Sequence, residues 1–578
     1  MPGAADFIQR CVHAVETGGY AIWVQRALGV ALLVGLAFYY MGHEFRGLAT
    51  SQAMDQAQIG RNIANGEGWR TDFVRPRAVG QLQQAKKNVA QRIWYDTYNA
   101  PLPPLVNAVA LRPFKRFWKM TPGEVVYAGD KAIAVSAICF FIASLVFLYL
   151  TASRLFDQRL AILATALVVL CDMFWEYSLS GLPQMLMLFL FSGTIYVLVR
   201  AVEAQFEGGP VGIWLGLAGI GFGLLALSHA LTIWMFVGAL VFSIFFFKPR
   251  GWAAAIVLGM FLLLYTPWLV RNYVVCGNPA GMAMYSALDD IKRSEAGHMR
   301  RVDLDLQDIT PRHFRDKVTK NLVSQFARLY EHVGWSAVAL VFFVSLLHIF
   351  KRRETAVLRW LILTMWGGAV FGMALYGMRE EQGMIANQLH LLFVPIMTCY
   401  GLAYLLVQWN RLEIEMRVAR IAFLTLLFVI CAWPMVFSFP PFAGPKSGVR
   451  WPPYVPPYIS VLNDWMRPEE IIASDMPWAI SWYADRRSLW VPDTVKAFTE
   501  FHDYGIFGAP VNGLYLTPIS GSQNALGDIL KGEYRDWAAV ILRSLDISKF
   551  PLKWATLLGL ENECVFFADT DRQRIQAP

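Results

Sequence analysis

Asp55 is the residue whose type and place in the chain most suggest chemistry. It lies in Ser51-Gln52-Ala53-Met54-Asp55-Gln56-Ala57-Gln58-Ile59-Gly60-Arg61-Asn62-Ile63-Ala64-Asn65-Gly66, directly after a first apolar run long enough to cross a bilayer. A carboxylate at that boundary can meet both a water-soluble reactant and one whose tail stays in lipid. The segment has a helical pattern: Ser51 can cap its start, and Asn65-Gly66 can end it in left-handed geometry. Asp55, Gln58 and Asn62 then share one face at i, i+3 and i+7, while Ala53, Ala57, Gly60 and Ala64 form a face of small residues. The small face is expected to lie against another helix or the membrane surface, leaving Asp55 to look into a cavity.

The elements that must position Asp55 are membrane spans. Of 578 residues 56% are hydrophobic and only 16% charged, with a mean hydropathy of +0.40, which places the chain in the membrane class. About eleven apolar runs meet the length needed to cross ~30 Å of hydrocarbon. They lie near 20–41, 127–151, 157–174, 182–202, 211–229, 231–247, 252–270, 334–350, 357–377, 386–408 and 418–438. The first has Arg26 near its start and no small-residue cleavage site, so it is expected to be a retained anchor. The fold class expected is a mainly α, polytopic membrane protein with a C-terminal α/β domain, divided as 1–440 and 441–578.

Short turns carrying Arg154 and Arg159, then Lys248 and Arg250, then Lys351, Arg352, Arg353 and Arg359, then Arg411, Arg417 and Arg420 fall on one side, which the positive-inside bias makes cytoplasmic. The long loops 42–126 and 271–333 and the tail 440–578 are then outside. The formal charge of +8 is spread over turns and loops, so topology and anionic lipid account for it and nucleic-acid binding is not expected. No cysteine pair has metal-ligand spacing, and a pairing of Cys276 with Cys564 is left open. The absence of any N-x-S/T acceptor favours a bacterial inner-membrane protein over a eukaryotic secretory one.

The first loop, about 85 residues, is too long for a plain connection. It contains the proline segment Tyr98–Leu105 and a stretch, Leu111 to Trp118, with the alternation of an interfacial helix. After the last span a linker, 439–458, leads to candidate strands Ile471–Ser474, Ser488–Val491, Gly513–Leu516, Ala538–Leu542 and Val565–Ala568, and to a helix Pro477–Tyr483 capped by Asp475.

Four segments carry a resemblance: the acidic helix above; Cys171-Asp172-Met173-Phe174-Trp175-Glu176-Tyr177-Ser178-Leu179-Ser180-Gly181-Leu182-Pro183-Gln184; Thr266-Pro267-Trp268-Leu269-Val270-Arg271-Asn272-Tyr273 with Gly277-Asn278-Pro279; and Ala473-Ser474-Asp475-Met476-Pro477-Trp478 running to Trp482-Tyr483-Ala484-Asp485-Arg486-Arg487. In order and topological position they resemble the family C glycosyltransferases (GT-C), in particular the bacterial branch similar to protein O-mannosyltransferases and the lipid A aminoarabinose transferase. The resemblance implies an inverting, metal-independent transfer, outside the cytoplasm, from a polyprenyl-phosphate-sugar lipid donor to a glycan, lipid or protein acceptor, with no cofactor.

It also implies site residues. Asp55 corresponds to the catalytic base, which takes the proton of an acceptor hydroxyl, a contribution of roughly 10²–10⁴ in rate. The leaving group is already a phosphate and needs cations, for which Arg271, Arg61, His229 and Lys86 stand foremost, with Arg75, Arg77 and Arg92 in the same loop. Where relatives commonly carry an acid this chain has Gln184, so Asp172 and Glu176 are substitutes for the second acidic position; Gln388 and His390 stand where relatives often have an arginine. Blander roles stay open: Arg271 as a snorkelling lipid contact, Asp172 and Glu176 as interfacial acids, His229 as a hydrogen-bonded helix end, Arg75 and Arg77 as surface or lipid contacts, and the Trp482–Arg487 motif as a structural corner. Trp69, Trp94 and Tyr95 are candidates for stacking on sugar rings. Asp55→Asn is expected to keep the fold and abolish transfer; a non-catalytic GT-C-like subunit that holds lipid or scaffolds a complex is the rival reading.

Overall fold

The computed structural model describes residues 21–118, 124–289, 291, 297–304, 309–414, 416–439, 442, 455–505, 508–521, 529–530, 533–541, 550–558 and 564–572. The chain divides into two units, 1–45 and 46–578. In the first, a helix Ala21–Tyr39 continues into a π-helical turn, Tyr40–Glu44, closed by a bond from the Phe45 N–H to the Tyr40 carbonyl.

Among the described residues eight helices are long and apolar enough to cross a membrane: Ala27–Glu44, Ala128–Leu155, Gln184–Glu207, Val211–Ser228, Arg250–Cys276, Arg353–Tyr376, His390–Arg411 and Arg417–Val436. A ninth span is available if the pair Gln158–Val169 and Asp172–Leu179, bent by 55°, counts as one. Each expected run contains helix, but among the described residues eight or nine full spans are formed rather than about eleven. The run 231–247 holds a 15-residue helix, Thr232–Phe246, and the run 334–350 only nine helical residues, Ala337–Ser345. The latter starts late because Gly334 and Trp335 both adopt positive φ and Ser336 caps the helix by accepting from the Ala339 N–H. It packs backbone to backbone on His390–Arg411: a Cβ on Gly401 would stand 1.9 Å from the Val338 carbonyl oxygen. A short apolar helix inside a bundle and a spanning helix have the same hydropathy, so counting run length overstates the spans.

The α/β region is a six-stranded sheet in the order β2-β7-β6-β8-β10-β9, where β2 is Phe73–Val74, β6 Ile471–Ser474, β7 Arg487–Trp490, β8 Val511–Leu516, β9 Trp554–Leu558 and β10 Cys564–Ala568. β2, β7, β6 and β8 run parallel, and β10 pairs antiparallel with both β8 and β9. The parallel strands are largely buried, and Ile471, Ala473, Leu489, Val511, Leu514 and Leu516 pack in one core. Strand β2 comes from the first loop, between the short strands β1 (Arg70–Thr71) and β3 (Trp94–Tyr95), which pair with each other.

Four of the five expected strands are present within two residues of their expected limits. The fifth, 538–542, is instead a helical turn, Ala538–Ile541, with Leu542 outside the described residues, and β9 was not anticipated. Asp475 does not cap the helix at Pro477. Its Oδ2 accepts from the N–H and hydroxyl of both Thr517 and Ser520, at 2.8–3.1 Å, so it fastens the end of β8 instead. Burial pushes this carboxyl up to about 6, against those four donors. Most of the linker 439–458 lies outside the described residues. Cys276 and Cys564 are both buried thiols and are not joined in a disulfide.

Candidate functional site

The helix that carries Asp55 runs Ser51–Ala64, ending at Gly66 in left-handed geometry as its sequence requires. Thr50, not Ser51, is its cap, accepting from the Ala53 N–H. Ser51 has another partner: its N–H and hydroxyl donate to the two carboxylate oxygens of Glu381, each at 2.8 Å. The small face packs as expected. A Cβ on Gly60 would stand 2.8 Å from Asn107 Cβ and 3.0 Å from the Pro104 carbonyl, both on the helix Leu102–Leu111, whose first turn accepts Pro103 and Pro104.

The polar face does not look into a cavity. Residues 53–62 are buried all round, because residues 70–75 of the same loop clasp that face. Gln58 accepts from the Asp72 N–H at 3.1 Å and donates to Thr71 Oγ1 at 2.9 Å, and Asn62 donates to Asp72 at 2.8 Å. Asp55 is 1% exposed. Its Oδ2 accepts from Arg75 Nη2 at 2.5 Å and Asn99 Nδ2 at 2.7 Å, and its Oδ1 from Gln58 Nε2 at 3.2 Å.

Arg75, expected as a surface contact, is the buried centre of the cluster. Its guanidinium lies between the rings of Phe73 and Tyr98, 4.1 and 4.0 Å from their centroids. Its Nη1 makes no hydrogen bond, and Asp96 Oδ1 lies 3.9 Å away. Asp96, which sequence reasoning missed, is 2% exposed and accepts from the Asn99 N–H at 2.8 Å. Burial first, and Asp55 second, push its carboxyl up to about 6, against the pull of Arg75, the Asn99 N–H and Arg271. Arg271 joins this group by donating to the Asp96 carbonyl and to Asn272 Oδ1, over the ring of Trp268. Asp55, Arg75, Asp96 and Arg271 thus form one string of charges drawn from the first loop and from the helix Arg250–Cys276.

Beside it lies a cavity of about 500 Å³. Arg75, Phe73, Tyr98, Ser51 and Gln52 line it from the first loop, Trp478, Trp490, Ile519, Glu533 and Tyr534 from the α/β region, and Tyr376, Gly377, Arg379, Glu380, Glu381, Gln382, Ala386 and Asn387 from the connection between two spans. That connection is a hairpin of β4 (Glu380–Glu381) and β5 (Met384–Ile385), turned through Gln382 and Gly383, both at positive φ. It is fixed at three points: Glu381 on Ser51, the Tyr177 hydroxyl on the backbone of Ile385, and Gln184 Nε2 on the Ala386 carbonyl at 2.6 Å. Gln184 is fully buried there, and an ionised carboxylate in its place could not donate to that carbonyl.

The other residues singled out by sequence do not line this cavity. Arg61 donates to the carbonyls of Ser481 and Trp482 and pairs with Asp485 at 2.7 Å, and Asp130 accepts from Trp482 Nε1 and the Tyr483 hydroxyl, so the Trp482–Arg487 motif is a corner tied to two helices. Lys86 is exposed at a positive φ. His229 Nδ1 accepts from the Leu231 N–H at 3.3 Å, closing a turn between helices. Asp172 is buried at the start of its helix and accepts from Ser438 Oγ, and Glu176 is exposed. Arg77 holds the Val302 carbonyl and lies over Tyr285. His390 and Gln388 belong to a buried network with Trp366, Gln325 and His332. Trp69 packs on Trp268, Trp94 is buried and Tyr95 exposed; the aromatic lining comes instead from Phe73, Tyr98, Tyr376, Trp478, Trp490 and Tyr534. No cluster of metal-ligating side chains occurs among the described residues.

Residues 124–270 match the profile of the dolichyl-phosphate-mannose-protein mannosyltransferase family. No curated protein matches the sequence. Among solved structures, the oligosaccharyltransferase of Archaeoglobus fulgidus tethered with an acceptor peptide is 13% identical at a TM-score of 0.52, over 95% of this chain and 75% of that one. The same enzyme in complex with Zn and sulfate is 14% identical at 0.46, over 82% of this chain and 65% of that one, so the chain spans about two thirds of that relative's length. ArnT of Cupriavidus metallidurans bound to undecaprenyl phosphate is 12% identical at 0.40, over 94% of this chain and 98% of that one. At these identities the likeness is one of architecture, and by architecture this chain is a multi-pass membrane protein with the family C glycosyltransferase (GT-C) fold.

Proposed function

We propose that the chain is an integral glycosyltransferase of a bacterial inner membrane that moves a sugar from a polyprenyl-phosphate-linked donor to an acceptor hydroxyl on the periplasmic side, with inversion and with Asp55 as base. The observation that carries this reading is the cavity whose wall holds a buried arginine, Arg75, with a carboxylate, Asp55, bonded to it. The acceptor O–H gives its proton to Asp55 as its oxygen bonds the anomeric carbon, the bond from that carbon to the phosphate oxygen breaks, and the leaving polyprenyl phosphate carries the electron pair. Its charge grows from one to two, and Arg75, with Arg379 also on the wall, faces that change. The α/β domain, 441–578, supplies Trp478, Trp490 and Tyr534 to the acceptor side of the cavity.

A second reading, lipid binding without chemistry, is favoured by the near-complete burial and pairing of Asp55. One experiment separates the two. Glycolipids and glycans from cells carrying wild type, Asp55→Asn or no gene are compared by mass spectrometry. A glycoconjugate that depends on the gene, and that Asp55→Asn does not restore while the purified variant still binds undecaprenyl phosphate, supports the enzyme. Full restoration by Asp55→Asn removes Asp55 as base, and identical profiles with and without the gene favour the second reading.

A further inference from the structure

We propose that Arg75 is an exchange residue: without donor it masks the Asp55 carboxylate, and a donor phosphate unmasks the base by taking Arg75 for itself. This rests on the glycosyltransferase reading and specifies how its site is switched on by substrate.

The pairing of Arg75 is incomplete. One nitrogen, Nη2, is bonded to Asp55, while Nη1 is buried without a hydrogen-bond partner and stands 3.9 Å from the nearest oxygen of Asp96, beyond bonding distance. A buried N–H left unbonded is costly, and a phosphate, with several oxygens, accepts from both prongs of a guanidinium where Asp55 accepts from one. Arg75 also lines the cavity, as do the two rings that sandwich it. Phe73 and Tyr98 restrict the guanidinium to movement in its own plane and keep a π face against the cation throughout, so the exchange never exposes a bare charge to an apolar wall.

Asp55 is equipped for the loss of its partner. Asn99 and Gln58 hold its two oxygens by neutral donors at 2.7 and 3.2 Å, which fix the carboxylate without cancelling its charge. Paired with Arg75, the Oδ2 atom is occupied by the guanidinium; once Arg75 turns to the phosphate, that position is open to the acceptor O–H. As the glycosidic bond breaks, the phosphate gains a second negative charge and draws Arg75 further from Asp55, so the exchange strengthens toward the transition state.

The test is binding of undecaprenyl phosphate to the full chain in nanodiscs, with inorganic phosphate and undecaprenol as separate arms. If Asp55 competes for Arg75, Asp55→Asn binds the lipid phosphate at least fivefold more tightly, Arg75→Gln binds it at least tenfold more weakly, and Asp55→Asn adds no gain in the Arg75→Gln background. Asn99→Leu, which leaves the charge of Asp55 intact and makes its Oδ2 more available to Arg75, weakens binding severalfold and serves should Asp55→Asn not fold. An unchanged or weaker Asp55→Asn, a gain that persists without Arg75, or an unaffected Asn99→Leu overturns the proposal. Binding of inorganic phosphate as tightly as the lipid would assign the exchange to a free anion instead and overturns it for the donor. A wild-type chain that binds no undecaprenyl phosphate defeats the glycosyltransferase reading itself; wild-type binding without the gain in Asp55→Asn defeats only the exchange.

Discussion

Asp55→Asn was expected from sequence to leave the fold intact, and the geometry says otherwise. Asp55 and Arg75 have side chains 2% and 5% exposed and meet at 2.5 Å. At an effective dielectric constant of ~20, unit charges at that distance attract by about 7 kcal/mol, and at the 3.9 Å that separates Arg75 from Asp96 by about 4 kcal/mol. The variant loses the first term, keeps the second and loses the repulsion between Asp55 and Asp96. The net cost is therefore smaller than the first term, and removing one partner of a buried ion pair costs about 3–5 kcal/mol.

The assay is SDS-induced unfolding of the full chain in mixed micelles, applied to wild type, Asp55→Asn, Arg75→Gln and the double variant. Each single change is expected to destabilise, and the double change to cost less than their sum by about 2 kcal/mol, since once one charge is gone the other is the liability. Adding undecaprenyl phosphate should stabilise Asp55→Asn more than wild type. A coupling below about 0.5 kcal/mol would refute the reasoning, because a pair at this distance and burial cannot then be the contact that holds Arg75.

Gln184→Glu exchanges the donor to the Ala386 carbonyl for an oxygen in a fully buried place, and should cost about 2–4 kcal/mol in the same assay; a variant as stable as wild type would show that the amide does not hold the hairpin. Gly60→Val forces a methyl-bearing carbon into contacts of 2.8 and 3.0 Å with the Leu102–Leu111 helix and should destabilise by about 1–3 kcal/mol, where Gln83→Val on an exposed turn should not. Asp96 has its pKa raised to about 6 from 3.8, so the fold holds a proton that the unfolded chain releases between these values. Its contribution is whole below about pH 4 and is lost as pH rises through about 6; wild type should therefore lose stability relative to Asp96→Asn from pH 5 to 7.5, and parallel curves would contradict the raised value.

The acidic helix, its small face and its glycine end were legible because they follow from periodicity and from local conformational preference. The direction of its polar face was not: Gln58 and Asn62 satisfy residues 70–75, and nothing in a helical wheel shows that a segment ten residues later returns to cover it. Arg75 and Arg77 flank a proline in a hydrophilic stretch, which resembles a solvated loop until the aromatic partners Phe73, Tyr98 and Tyr285 are brought around them by chain reversal. Asp96 likewise lies in a hydrophilic stretch, and only the folded chain buries it beside Arg75. The strands β6, β8 and β10 are visible as short apolar runs between turn residues, whereas the short apolar run 538–541 forms a helical turn next to the buried Trp537.

The position of Arg75 ties the chemistry of the first loop to the far end of the sequence. It directly follows β2, whose register is set by β7 through Phe73 opposite Ser488 and Val74 opposite Leu489, with the Ser488 N–H on the Asp72 carbonyl at 2.7 Å. A shift of β2 by one residue would turn Phe73 to the opposite face of the sheet and take the ring from beneath the guanidinium. Phe73 in turn packs edge-on against Trp478 and Trp490, the aromatic wall of the cavity. The α/β region is thus more than an appended recognition module, because the same strand pairing that shapes the cavity wall also sets the distance between Arg75 and Asp55. Changes in β7 that leave every charged residue in place, such as Ser488→Pro, which removes both the N–H and the hydroxyl at that pair, would loosen the string of charges as surely as a change within it.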